Sequence, residues 1–217
     1  LDDRSTWATL QSGVSRSVDS TRSPHPIRYV WTFAADEGAD EFYDAVVGEA
    51  PCCVLSTTSC YGHADPGVPV DEDAPVDLTQ PRFAAEEALR SRGATIFALA
   101  GLFGYGRSPA SWLARGLVRD TGGTVNLVHR DDVVSALEAW LEEPQAARGR
   151  RLNVCTQTHR WEDLVRAYVA CGLLPSEYPV PAARPGGRVI SGARLRGLYT
   201  SLAARTPLDA RDAQVLA

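Results

Sequence analysis

The apolar run Pro51–Leu55 stops abruptly at four consecutive hydroxyls, Ser56, Thr57, Thr58 and Ser59, and a Tyr-Gly pair follows at Tyr61 and Gly62. Strands of parallel sheets end this way where a ligand sits beyond their carboxyl ends. These hydroxyls therefore either touch such a ligand or cap the turn itself. Arg107 follows Gly-Tyr-Gly (104–106). Its guanidinium offers bidentate donors to an anionic group, or it is a solvated, structural arginine. His129 with Asp131 and Asp132 has metal-binding residue types, but no third ligand stands at a sensible spacing. The trio reads as a loop that starts a helix, and no metal site is assigned. The acidic "DEDAP" (71–75) lacks the pattern of a calcium loop and reads as a solvated segment. All 22 basic residues are arginine, so Schiff-base chemistry and lysine proton relays are excluded.

The elements that position these groups follow from composition and pattern. A chain of 217 residues with 44% hydrophobic content supports one α/β domain, or one domain plus a lobe. A net charge of −5 argues against nucleic acid as a partner. The longest apolar runs fall well short of the ~20 residues of a transmembrane helix. The five cysteines (Cys52, Cys53, Cys60, Cys155, Cys171) show no CxxC spacing. They read as buried thiols of a soluble protein in a reducing, intracellular compartment, cytoplasm or organelle matrix. The chain has no Met, so the expectation is a processed chain or a fragment.

Residues 1–26, rich in Ser, Thr, Arg and Asp, read as a weakly structured segment preceding a domain at 27–217. Strands are expected at 28–34, 52–57, 95–100 (within an apolar run to 104), 124–129 and 151–155. Helices are expected at 36–50, 82–92, 108–120, 130–143 and 160–172, the last closed by Gly172. A long Pro-rich loop spans 62–81. The tail mixes loop, a short strand and a helix. Trp112, Trp140 and Trp161 fall on amphipathic helices as core or interface residues. Alternating strands and helices imply a mainly parallel sheet with helices on both faces.

Five landmarks then occur in a fixed order: "LSTTSCYG" (55–62), "VDEDAP" (70–75), "LAGLFGYGR" (99–107), "VNLVHRDDVVSAL" (125–137) and "LNVC" (152–155). Over about residues 27–200 the chain resembles the C-terminal two thirds of an extended short-chain dehydrogenase/reductase, the family of NAD-dependent epimerases and dehydratases. The resemblance implies an incomplete Rossmann-like sheet with a small C-terminal lobe. It also implies ligand contacts at Ser56, Thr57, Thr58, Tyr61, Gly101 and Arg107. Family members use a hydroxyl residue, a Tyr and a Lys, with the Tyr and Lys spaced as YxxxK. Here the hydroxyl position falls on Thr57, the Tyr position on Arg82 and the Lys position on Glu86, so YxxxK becomes "RFAAE" (82–86). The expected result is a surface i,i+4 ion pair worth only ~0.3–0.5 kcal/mol, with no catalytic residue assigned.

No GxGxxG fingerprint is present, and only Gly13 precedes Ile27. NAD or NADP is implied by the resemblance alone, and tight binding to this chain by itself is not expected. The strand at 27–35 would lack its neighbour and form an apolar edge, to be covered by an upstream segment or another chain. Two function classes fit: a non-catalytic relative acting as a binding or structural subunit, and an NAD(P)-dependent epimerase or reductase acting on a nucleotide-sugar-like substrate. A hydrolase lacks both a nucleophile elbow and paired carboxylates here.

Overall fold

The computed structural model describes residues 26–62, 68–118, 121–182 and 187–199. The expected segment 1–26 lies, but for Pro26, outside the described residues. A four-stranded parallel sheet, in the order β1-β2-β4-β7, forms the centre. Its strands are β1 (Tyr29–Trp31), β2 (Cys52–Thr57), β4 (Thr95–Leu99) and β7 (Arg151–Val154). Register is set by pairs such as Ser56 with Ala98 and Thr57 with Leu99, so Thr57 sits at a carboxyl end, as expected. Both faces are covered. Cys53, Phe97, Leu152 and Val154 pack with Val133, Ala136 and Trp140 of α4 (Arg130–Glu142). Val54 and Ile96 turn the other way, against Trp31, Tyr43 and Leu89. That face is built by α1 (Ala39–Phe42), which widens into a π turn over Tyr43–Val47, and by α2 (Pro81–Ser91).

Pro81 stands in the first turn of α2, where its missing N–H costs nothing. The α2 helix returns through Arg92–Ala94 directly into the amino end of β4, so its own amino end lies at the carboxyl ends of the strands.

A smaller three-stranded sheet joins β5 (Gly101–Phe103), β6 (Thr124–His129) and β8 (Gln157–Arg160), with β8 antiparallel. It packs on α3 (Pro109–Ala114) and α5 (Trp161–Ala170) through Phe103, Leu113, Trp161 and Tyr168. A two-stranded pairing of β3 (Pro69–Val70) with β9 (Val189–Ile190) leads into α6 (Ala193–Leu198), and Val70, Ile190 and Leu195 pack with Leu152 and Val154 of the central sheet. The α3 helix opens on a capping box: Ser111 N–H donates to Ser108 Oγ at 3.1 Å, and Ser108 N–H to Ser111 Oγ at 3.2 Å.

The structure departs from the pattern reading in five places, the first being the loop expected over 62–81, which contains β3. The apolar run from Thr95 breaks at Ala100 and serves two sheets. The α3 helix ends at Ala114 instead of running on to 120. The polar "QTHR" (157–160) forms a strand that apolar alternation does not signal. The edge strand β1 pairs over three residues only, not seven. Among the described residues no helix is long and apolar enough to cross a membrane.

Candidate functional site

The hydroxyl turn divides its side chains between interior and rim. Ser56, buried, donates its Oγ–H to Glu86 Oε2. Thr57 Oγ1 accepts the Ser59 N–H at 3.2 Å and pairs with Ser59 Oγ at 2.7 Å. Thr57 thus caps the 3-10 turn Thr58–Cys60 while remaining at the exposed rim. Thr58 is buried. Tyr61 is 3% exposed and donates its phenol to Asn153 Oδ1 at 2.6 Å. Burial holds that phenol protonated far above its ordinary range.

Arg82 and Glu86 form the expected i,i+4 pair, with Nε to Oε1 at 2.8 Å, but it is not a surface pair. The Glu86 side chain is 0% exposed and the Arg82 side chain 37%. Glu86 reaches inward from α2 under the carboxyl end of β2, where Ser56 supplies its second donor. A carboxylate removed from water needs such compensation, because its desolvation costs several kcal/mol. The spacing predicted the ion pair; its burial was invisible because it depends on which face of α2 meets β2.

The second group lies beside the smaller sheet. Gly101 and Arg107 share a cavity of about 570 Å³ with Gly106, Ser111, Trp112 and Arg115. Arg107 Cζ lies 5.8 Å from the Trp112 ring centroid, a cation–π arrangement. Gly101 is also needed for packing: a Cβ there would meet the Asn126 carbonyl oxygen at 2.9 Å. Beside the cavity Tyr105 holds φ +50°, uncommon for a bulky residue. Its ring lies 3.7 Å from the Arg130 guanidinium carbon and its hydroxyl donates to Asp131 Oδ2 at 3.2 Å. Neither Trp112 and Arg115 as cavity walls nor Tyr105 as its neighbour was foreseen; the Gly-Tyr-Gly turn before Arg107 was the available signal. His129 Nδ1 accepts the Asp131 N–H at 3.1 Å and so caps α4, the role its sequence position implied.

The chain is 30% identical over 175 residues to Protein YeeZ of Escherichia coli strain K12, and equally to Protein YeeZ of strain O157:H7. The match takes in 72% of this chain and spans 62% of the length of that protein. No family model matches. Among solved structures, UDP-glucuronic acid 4-epimerase from Bacillus cereus in complex with NAD superposes with a TM-score of 0.66. The identity is 14%, covering 86% of this chain and 71% of that one.

The chain has the extended short-chain dehydrogenase/reductase fold.

An NAD-dependent epimerase/dehydratase from Methylobacillus flagellatus gives TM-score 0.61 at 22% identity, covering 78% of this chain and 65% of that one. RMD from Pseudomonas aeruginosa, complexed with NADPH, gives 0.59 at 16%, covering 79% and 68%. The fold is thus one that holds NAD in the Bacillus cereus structure and NADPH in the Pseudomonas aeruginosa one. At the two positions where the sequence resemblance expects a Tyr and a Lys, the chain carries Arg82 and Glu86. Position 86 carries a buried carboxylate spent on Ser56 and Arg82, with no cation to meet ribose hydroxyls, and position 82 carries no phenol.

Proposed function

We propose that this chain is the ligand-binding portion of an NAD(P)-binding-fold protein that acts as a binding or structural subunit, without hydride transfer through positions 82 and 86. The observation that carries this reading is the state of Glu86. Short-chain dehydrogenase chemistry needs a phenol that exchanges a proton with the substrate and a nearby cation that lowers the phenol's pKa. Here the cation is Arg82, at the phenol's place, and its Nε is spent on Glu86. The nearby phenol, Tyr61, is buried and held protonated, so it cannot substitute. Any NAD or NADP contact in this chain falls to the rim hydroxyls, Thr57, half-buried, and Ser59, exposed. The side of β1 that pairs with no strand among the described residues is the surface for another chain or an upstream segment. The unpaired cysteines suit a reducing compartment.

The test is turnover: full-length protein incubated with NADH or NADPH and a UDP-sugar is expected to show no change in nicotinamide absorbance and no epimerised product. Turnover abolished by Arg82→Ala would overturn the reading. One observation favours a second reading, an epimerase or reductase acting on a nucleotide-sugar-like substrate. The Arg107–Trp112–Arg115 cavity combines guanidinium groups with an aromatic face, as a nucleotide diphosphate requires. On that reading catalysis would use groups other than residues 82 and 86.

A further inference from the structure

We propose that Arg82 binds an oxyanion of a small-molecule ligand, a phosphate or carboxylate group, at the rim of the central sheet beside Thr57 and Ser59. The proposal rests on the reading above in taking position 82 as facing the ligand side of the fold. Arginine carries five N–H donors in one rigid plane. Among the described residues only Nε–H is used, by Glu86 Oε1 at 2.8 Å. Beyond the Phe83 ring, 5.9 Å from Cζ, the guanidinium has no other contact among the described residues. Because the group is planar, holding Nε on a buried acceptor restricts the directions in which the Nη1–Nη2 fork can point. Glu86 is immobile: it is fully buried and its second oxygen is held by Ser56. The fork is therefore restrained from the interior, yet belongs to a side chain that is 37% exposed.

Its level in the fold follows from helix and strand geometry. The α2 helix runs away from the carboxyl ends of the strands, and Glu86 meets Ser56, the penultimate residue of β2. Arg82, four residues earlier, stands about 6 Å further toward the rim, the level at which β2 ends in Thr57 and the turn holding Ser59. The Thr57 and Ser59 hydroxyls use one hydrogen between them. The other has no acceptor among the described residues. The fork and the hydroxyl thus belong to one level of the fold, and together they make the donor set of a phosphate or carboxylate. A dehydrogenase presents a phenol at this position to a substrate oxygen; this chain presents a fixed positive charge, which selects an anion instead.

The experiment uses full-length protein at constant ionic strength, titrated separately with inorganic phosphate and with succinate in exchange for chloride. The reporter is the arginine Nε–Hε resonance of Arg82, assigned by its loss in Arg82→Gln, with affinity measured by calorimetry. A saturable shift with either anion is expected, and whichever arm saturates at lower concentration identifies phosphate or carboxylate as the ligand group. Affinity should fall at least tenfold in Arg82→Gln and stay unchanged in Arg166→Gln, a charge-matched control on α5. A response no larger than chloride's, or equal affinity in Arg82→Gln, overturns the proposal. If Arg82→Gln does not fold, saturation of the wild-type resonance decides alone. Failure of the functional reading would appear as nicotinamide turnover, which this titration does not measure.

Discussion

Replacing Arg82 by Ala tests the claim that the pair at 82 and 86 is an interior feature. At 2.8 Å the gross attraction is about 6 kcal/mol for an effective dielectric near 20. Desolvation of Glu86 cancels much of it. Two limits bracket the net loss. A solvent-exposed pair is worth about 0–1 kcal/mol. Removing one partner of a fully buried pair costs about 3–5 kcal/mol, because an uncompensated charge is left behind. Glu86 is fully buried, Arg82 is 37% exposed, and Ser56 continues to donate after the substitution. Water admitted at the Arg82 position compensates part of the remainder, so a loss of about 2 kcal/mol is expected. Urea unfolding should show a lower midpoint at unchanged slope. A cycle through Arg82→Ala, Glu86→Ala and the double variant should give a coupling of about 1 kcal/mol or more. Arg82→Leu combined with Glu86→Leu should lose far less than either alone, since an apolar pair leaves no buried charge. A loss below about 0.5 kcal/mol in Arg82→Ala, with no coupling, would place the pair among ordinary surface ion pairs and refute the reasoning.

Tyr61→Phe leaves Asn153 Oδ1 buried without its donor and should cost about 1–3 kcal/mol in chemical denaturation; an unchanged midpoint would mean that water replaces the phenol. Burial pushes the Cys52 thiol up to about 12 and raises Cys53 well above 9.0, so their stabilisation is whole below pH 9 and is lost as the pH climbs from there toward the folded values. Each thiol should steepen the decline by about 1.4 kcal/mol per pH unit in that window, and Cys53→Ala should make the alkaline arm shallower; equal slopes would count against it. In β1, Tyr29 N–H donates to the Pro51 carbonyl at 2.9 Å, and strand alternation turns the Val30 N–H toward the free edge. Slow exchange at Val30 in full-length protein is the result expected of a covered edge, whereas loop-like exchange would leave it open.

Local pattern made the central sheet readable before any coordinates. The β2 and β4 strands are apolar on both faces because helices cover both, and such continuous runs need no alternation to be recognised. The mismatches have the same physical origin. From Thr95 to Phe103 the chain stays apolar while passing from one sheet into another, and hydropathy cannot register a change of partner. The β8 strand is polar because only part of each side chain is buried, and its pairing with β6 is long-range. The α3 helix stops at Ala114 because Arg115 and Gly116 (φ +66°) turn the chain, while Leu117 and Val118 continue an apolar pattern beyond it.

For the site, residue identity was legible and environment was not. An arginine four residues before a glutamate predicts an ion pair on any exposed helix, and on that information the pair is nearly neutral for stability. The structure adds Ser56, thirty residues earlier, whose inward rotamer converts Glu86 from a surface charge into an interior acceptor. Sheet geometry makes this outcome specific. Successive side chains of β2 point to opposite faces, so of two adjacent hydroxyls only one can reach α2, and the other must stay at the rim. Ser56 takes the inner position and Thr57 the outer one. Exchanging the roles would require a one-residue slip of β2 against β4, which would also turn Cys53 and Val54 out of their clusters. The packing that forms the core therefore also fixes which hydroxyl supports Glu86, how Arg82 is held, and which hydroxyl remains for a ligand.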